Sequence, residues 1–242
     1  MMPGIKAYFF AIFAAALLLP LMSPAQAATV ISNTRVIYPQ KEREVTVRID
    51  NQGKSPVLLQ SWVDDGNEKA LPEKMNVPFV LTPPVNRIDA GKSQSLRIRY
   101  TGQTLPADRE SLFWLNALEI PTRQKANTEQ NILQMAFRTR IKLFFRPAGL
   151  KGEPEEAARI LRWTTGTGQV TAINDTPWHV SLVSVDVRVQ GKTRSTEADT
   201  VAPFSRRTFP VSGQGPATVV NWQYVNDYGA VHDVKASSGG GR

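Results

Sequence analysis

Residues 132–147 read ILQMAFRTRIKLFFRP, and their side chains sort by parity. Leu133, Met135 and Phe137 fall every second residue, and so do Ile141, Leu143 and Phe145; Arg138, Arg140 and Lys142 take the other parity. A period of two is that of a β-strand, whose successive side chains point to opposite faces. No Gly or Pro interrupts the run before Pro147. At ~3.3 Å per residue, about fifteen residues would reach ~50 Å, well beyond the common strand of about 5–6 residues. The plain reading is a core strand with a solvated basic face. The sharper one is a strand that leaves its own sheet and pairs with another polypeptide.

Short strands recur along the rest of the chain. Residues 29–38 (TVISNTRVIY) predict one first strand, and 44–50 alternate with Val45, Val47 and Ile49 on one face. Residues 57–63 and 95–100 follow, the first carrying Trp62. Residues 110–120 (ESLFWLNALEI) are apolar on both parities, which predicts a central strand covered on both sides. Residues 151–158 are charged, hold Pro154 and predict a linker or short turn. Beyond them, 159–164, 169–174, 181–190, 203–211 and 219–225 predict a second set of strands. In 181–190 the valines at 183, 185, 187 and 189 share a parity. No amphipathic helix of three turns stands out. Strands every 8–12 residues with Gly, Pro, Asn and Asp between them are the signature of β-sandwiches. The expected class is all-β: two tandem immunoglobulin-like sandwiches, residues 28–149 and 150–242.

The amino end is a targeting segment. Lys6 supplies the positive charge, residues 7–22 are apolar, and Ala25-Gln26-Ala27 is a small-x-small cleavage site. The run is too short, and too broken at Pro20, for a membrane span of about 20 residues. Residues 1–27 are therefore read as a signal peptide of an exported protein with no integral membrane segment after its removal. The formal charge of +8 falls to +7 without Lys6, which asks for an anionic partner. Export argues against nucleic acid. There is no cysteine, so neither thiol catalysis nor a cysteine metal site is open to this chain.

Little else suggests chemistry. His179 and His232 are the only histidines and stand in no metal-ligand spacing. No GxSxG elbow is present, and Gly166-Thr167-Gly168 reads as a hairpin turn. Asp64 and Asp65 would be solvated in a loop. The tryptophans (62, 114, 163, 178 and 222) would line a sugar site or, more ordinarily, a sandwich core. The reading is not an enzyme, with no cofactor and no metal.

Several stretches, in order, resemble the PapD-like family of periplasmic pilus-assembly chaperones of the chaperone–usher pathway. They are Asn33-Thr34-Arg35-Val36-Ile37-Tyr38, Thr82-Pro83-Pro84, ESLFWLNALEIP at 110–121, IKLFFRP at 141–147, Asn174-Asp175-Thr176-Pro177-Trp178 and Asn226-Asp227-Tyr228-Gly229-Ala230. The resemblance covers essentially the whole mature chain. It implies a boomerang of two sandwiches that donates a β-strand to the incomplete sandwich of a pilus or fimbrial subunit and delivers the subunit to an outer-membrane usher. By the same resemblance Arg35 and Lys142 match a basic pair that grips the subunit's terminal carboxylate. Leu133, Met135 and Phe137 match the donor side chains, and Glu110, Arg146 and Asp227 match an interdomain ion-pair network. The short loop at 121–131 resembles the short-loop branch of the family; Phe145 and Trp178 stand where many members carry Tyr. The exposed donor strand also offers an edge for self-association. Lys142 has the opposite parity to the three donor side chains, so a cleft-facing Lys142 asks for a twist or bulge. Two other classes stay open: an exported carbohydrate-binding or adhesive sandwich using surface Trp and Arg, and an enzyme with scattered carboxylates.

Overall fold

The computed structural model describes residues 29–122, 135–213 and 215–236. Residues 1–27, read above as a signal peptide, Leu133, most of the 121–131 loop and the glycine-rich tail lie outside them.

Among the described residues nine strands build the first sandwich. They are β1 (Thr29–Ile31), β2 (Arg35–Pro39), β3 (Val45–Asn51), β4 (Val57–Asp64), β5 (Phe79–Thr82), β6 (Val85–Ile88), β7 (Ser93–Tyr100), β8 (Ser111–Pro121) and β9 (Phe137–Arg146). One sheet runs β1-β3-β7-β5 and the other β2-β9-β8-β4-β6. The inward residues of the two sheets meet as the alternation requires: Val47, Ile98, Leu115, Leu143 and Phe145 are buried in one cluster, Ile49, Leu59 and Leu96 in a second. Each such side chain contributes about 1.5–3 kcal/mol by leaving water. Aromatic rings fill the end nearest the second sandwich, with Tyr100 and Phe145 4.5 Å apart between centroids and Phe79 and Phe113 5.0 Å apart.

The second sandwich follows a short helix, α1 (Pro154–Arg159), which buries Ala157 and Ala158. Its strands are β10 (Arg162–Gly166), β11 (Gln169–Asn174), β12 (Val180–Val189), β13 (Lys192–Glu197), β14 (Thr200–Val201), β15 (Ser205–Pro210), β16 (Ala217–Val225) and β17 (Val231–Lys235). The sheets run β10-β11-β15 and β13-β12-β16-β17, with β14 also on β12. They close on one core around Val170, Val185, Val187, Phe209 and Trp222.

Several expectations change. The first strand is two: β1 pairs antiparallel with β3, and β2 pairs parallel with β9 in the other sheet. The chain crosses the sandwich at Ser32-Asn33-Thr34, and the buried parity switches with it, from Ile31 to Val36 and Tyr38. The strand expected over 132–147 begins only at Phe137, with Met135 and Ala136 outside it. Residues 151–158 hold α1 rather than a bare linker, with Pro154 at the helix start, where its missing N–H is no loss. Val183 is exposed while Val185, Val187 and Val189 are buried, because a register shift between Leu182 and Ser184 turns it outward. Strands β6, β13, β14 and β17 gave no apolar alternation to read. β13 is Lys-Thr-Arg-Ser-Thr-Glu, an exposed edge defined only by its pairing with β12.

Two family-like stretches prove to be corners at the joint between the sandwiches. The Asn174 amide donates to the carbonyls of Trp178 (2.7 Å) and Ala202 (2.9 Å). Asn226 Oδ1 accepts from the N–H groups of Tyr228 (3.1 Å) and Ala230 (2.9 Å). Gly229 has φ 86°, and a Cβ there would strike the Thr34 hydroxyl, so only glycine lets this turn rest against the β1–β2 crossover.

Candidate functional site

Strand β9 is central for half its length and open for the rest. β8 pairs with it from Phe137 to Phe145, but β2 covers its other edge only from Lys142 to Arg146. Among the described residues no strand occupies that edge along 137–141. Met135 (51% exposed) and Phe137 (42%) stand at this open end. An unpaired strand edge with apolar side chains beside it is a template for another chain.

The foot of the open edge is basic. In the parallel β2–β9 register Arg35 lies opposite Lys142, which puts both side chains on one face. The β8–β9 register runs without a bulge from Phe137 to Phe145, so Lys142 does face away from the side of Met135 and Phe137. No bulge is needed: Ile141, Leu143 and Phe145 fill the first core, while Lys142, Phe144 and Arg146 face the second sandwich. Lys142 Nζ donates a short hydrogen bond to Thr200 Oγ1 and lies 3.9 Å from Asp199 Oδ1. Arg35 Nη1 donates to the Val225 carbonyl at 2.9 Å, and its buried Nε has no hydrogen-bond partner among the described residues. Burial lowers the pKa of both. For Arg35 the nearby Asp227 opposes this; for Lys142 Asp199 opposes it, while Arg35 and Arg207 add to it. Two cations, Arg35 buried and Lys142 partly so, thus share one face with little counter-charge, an arrangement whose chemistry suits an acceptor-only group such as a carboxylate.

The face above Lys142 carries a clamp that the sequence reading missed. Asp64, expected in solvent, is fully buried. It accepts from Arg140 Nη2 (2.6 Å) and Nε (3.0 Å), from the Asn116 amide (2.7 Å) and from the Gly66 N–H (2.7 Å), with Arg138 3.5 Å away. Arg140 stacks 4.1 Å over Trp114 and Arg138 5.0 Å over Trp62. The second face of β8 is thus covered by arginines of β9 rather than by a further layer of the fold. These contacts tie the outer half of β9 to β8 and β4. Burial alone would raise the Asp64 pKa, but Arg140, Asn116 and Gly66 outweigh it and hold the carboxyl below its usual range. A depressed carboxyl pKa stabilises the fold above the unfolded value and is lost as pH falls through the folded one. Asp64→Asn is therefore expected to lose about 2–3 kcal/mol at pH 7, discounted for the partial exposure of Arg140. Urea unfolding at pH 7 and pH 3 would show the gap to wild type closing in acid.

Arg146 ties the sandwiches together. Its Nε donates to Glu110 Oε1 at 2.9 Å, and Nη1 and Nη2 donate to the Asp227 oxygens at 2.8 and 3.1 Å. Its guanidinium lies 4.9 Å from the centre of the Trp178 ring. Burial lowers the Arg146 pKa, but the bonds and charges of Asp227 and Glu110 more than reverse this and leave it raised. Glu110 Oε2 accepts the His179 N–H at 2.9 Å. A narrow cleft of about 20 Å³ opens beside this group, lined by Arg35, Phe144, Arg146, His179 and Tyr224 among others. The tryptophans do not form a sugar platform: Trp178 and Trp222 are buried, Trp163 packs 5.5 Å from Trp222, and Trp62 and Trp114 lie under arginines.

Two sandwiches joined through ion pairs, with an open strand edge and two cations at its foot, define a class of strand-presenting β-protein. Residues 28–151 match the family "Pili and flagellar-assembly chaperone, PapD N-terminal domain", and residues 156–236 match "Pili assembly chaperone PapD, C-terminal domain". The chain is 44% identical over 217 residues to the probable fimbrial chaperone YadV of Escherichia coli, covering 86% of this chain and 88% of that one. It is 41% identical over 228 residues to the chaperone protein FimB/FhaD of Bordetella pertussis, covering 92% and 93%. Among solved structures it resembles the Salmonella enterica SafB chaperone, determined in complex with the SafA pilin, with TM-score 0.74, 30% identity, and 88% and 98% of the two chains covered. This chain belongs to the PapD family of pilus-assembly chaperones.

Proposed function

We propose that this protein is a periplasmic chaperone that caps fimbrial subunits by donating β9 to their incomplete sandwich and hands them to an outer-membrane usher. The observation that carries the reading is the placing of Arg35 opposite Lys142 at the foot of the open β9 edge. A subunit's last strand would extend along residues 137–141 with its terminal carboxylate on the two cations. Leu133, Met135 and Phe137 would fill the groove of the incomplete sandwich. Three such side chains contribute about 5–9 kcal/mol gross, before association costs. Association costs of about 4–15 kcal/mol take up most of that, so main-chain pairing and the carboxylate anchor share the hold, which leaves room for exchange. SafB, seen with its pilin, supports the choice of partner.

In this reading residues 1–27 direct export to the periplasm, and residues 28–149 and 150–242 are the two domains. The first carries the donor strand. The Glu110–Arg146–Asp227 group, two residues from the first domain and one from the second, holds the angle of the cleft. The protein acts by binding, with no covalent step and no cofactor. The same open edge is where two free copies would pair.

Met135→Glu tests the donor strand. Its side chain stands half exposed outside the core, so the melting temperature should hold within about 2 °C, the effect of a surface change of about 0.5 kcal/mol. Recovery of subunits co-purified from periplasm should fall sharply, since a buried charge would enter an apolar groove. A large loss of stability with normal recovery would make Met135 a core residue and overturn the assignment.

A further inference from the structure

Lys142 already faces a carboxylate in the free protein. Asp199, between β13 and β14, has its Oδ1 3.9 Å from Lys142 Nζ, just beyond hydrogen-bond reach. It is the one carboxylate paired with Lys142 among the described residues. Two bonds hold its carboxylate and a third steadies the neighbouring Thr200. The Thr200 N–H donates to Oδ1 at 2.6 Å, Arg207 Nη2 donates to Oδ2 at 2.7 Å, and Arg207 Nη1 donates to the Thr200 carbonyl at 2.8 Å. Thr200 in turn takes the Lys142 hydrogen bond through its hydroxyl. The second sandwich thus presents an acceptor and a fixed negative charge to the cation on β9.

We propose that Asp199 is a specificity-determining residue that weakens the hold of the Arg35–Lys142 pair on a terminal carboxylate, standing in for it while the cleft is empty and repelling it once it arrives. The proposal rests on the carboxylate anchor described above and adds a term that opposes it. A ligand oxygen at about 2.8 Å from Lys142 Nζ would lie no more than about 7 Å from Asp199 Oδ1. At that separation, in a cleft partly shielded from water, two negative charges repel appreciably. Asp199 cannot readily swing away, because Arg207 and Thr200 hold both its oxygens. Lys142 would touch the incoming carboxylate directly while Asp199 stays several ångströms from it, so binding stays favourable. Its strength is set below the maximum those cations would allow. A chaperone that must give up its cargo to another strand gains a faster release from such an arrangement.

Asp199→Asn removes the charge and keeps an oxygen for the Thr200 N–H. The probe is a synthetic peptide matching the last strand of a fimbrial subunit, prepared as the free acid and as the C-terminal amide, titrated by calorimetry and followed by surface plasmon resonance. The variant should bind the free acid about three- to tenfold tighter, mainly through slower dissociation, and bind the amide as wild type does. Asp199→Ser, measured beside it, should show the same selective gain, and thermal melts should place both near wild type. An unchanged or weaker affinity for the free acid, or an equal gain for the amide, overturns the role of Asp199. Wild type that binds acid and amide alike overturns the carboxylate anchor, and this inference with it.

Discussion

Lys142→Ala is expected to abolish recovery of subunits from the periplasm while leaving the chaperone folded. In the free protein the lysine makes one hydrogen bond, to Thr200, and a 3.9 Å pair with the half-exposed Asp199. Neither contributes much: a partly exposed pair of this kind is worth at most about 1 kcal/mol, and losing a charge beside Arg35 and Arg207 relieves repulsion. Binding is different. A terminal carboxylate that reaches the foot of β9 without its lysine keeps one cation in place of two and loses the point that sets register along the edge. Removing one partner of a desolvated, hydrogen-bonded charge pair costs about 2–5 kcal/mol, or about 30-fold in affinity at the low end. Co-purification from periplasm, with a thermal melt of the free variant, checks both halves. Normal recovery of subunits would overturn the anchor. Arg35→Ala should lose capture equally but melt lower, because Arg35 also bonds the Val225 carbonyl of the second sandwich.

Arg146→Ala should produce the largest loss of stability. The guanidinium is the shared partner of Glu110, which is 2% exposed, and of Asp227, which is 28% exposed. Without it two carboxylates face each other across the joint, one of them fully buried. Breaking a buried pair costs about 3–5 kcal/mol, and the Glu110 side should account for most of it. Asp227→Asn should cost less, about 1–2 kcal/mol, since its carboxylate is partly in water and Glu110 keeps its arginine. Differential scanning calorimetry should show a lowered transition for Arg146→Ala, splitting in two as the sandwiches uncouple. If the two substitutions cost the same, Glu110 does not depend on Arg146 as the geometry implies.

Both predictions rest on residues of one strand, and they show how far parity could be read. Alternation along 132–147 correctly separated Ile141, Leu143 and Phe145, which entered the core, from Arg140, Lys142 and Arg146, which did not. It left the even residues as a solvated face or a cleft, because period two says which side a residue takes and nothing about what lies there. The face turned out to be occupied: Asp64 beneath Arg140, Thr200 and Asp199 beside Lys142, Glu110 and Asp227 around Arg146. Asp64 illustrates the limit. By composition it begins a polar loop, and only the β4–β8–β9 register carries it under two arginines. The edge strand β13 was missed for the converse reason, since a polar strand exposed on its edge leaves no apolar pattern to detect.

What the sequence by itself determined is the all-β class and, for most of the strands it revealed, which residues would be buried. These follow from local rules, the two-residue period and the turn formers between strands, which need no knowledge of neighbours. The family resemblance singled out Arg35, Lys142 and the Glu110–Arg146–Asp227 group without their geometry. The tertiary structure decided the rest. It set Arg35 directly across from Lys142, left β9 open beyond that pair, and brought Asp199 to within 3.9 Å of the same lysine. Such facts belong to pairing between segments distant in the chain. A side chain's charge environment depends on what the fold brings opposite it, and no local pattern encodes that.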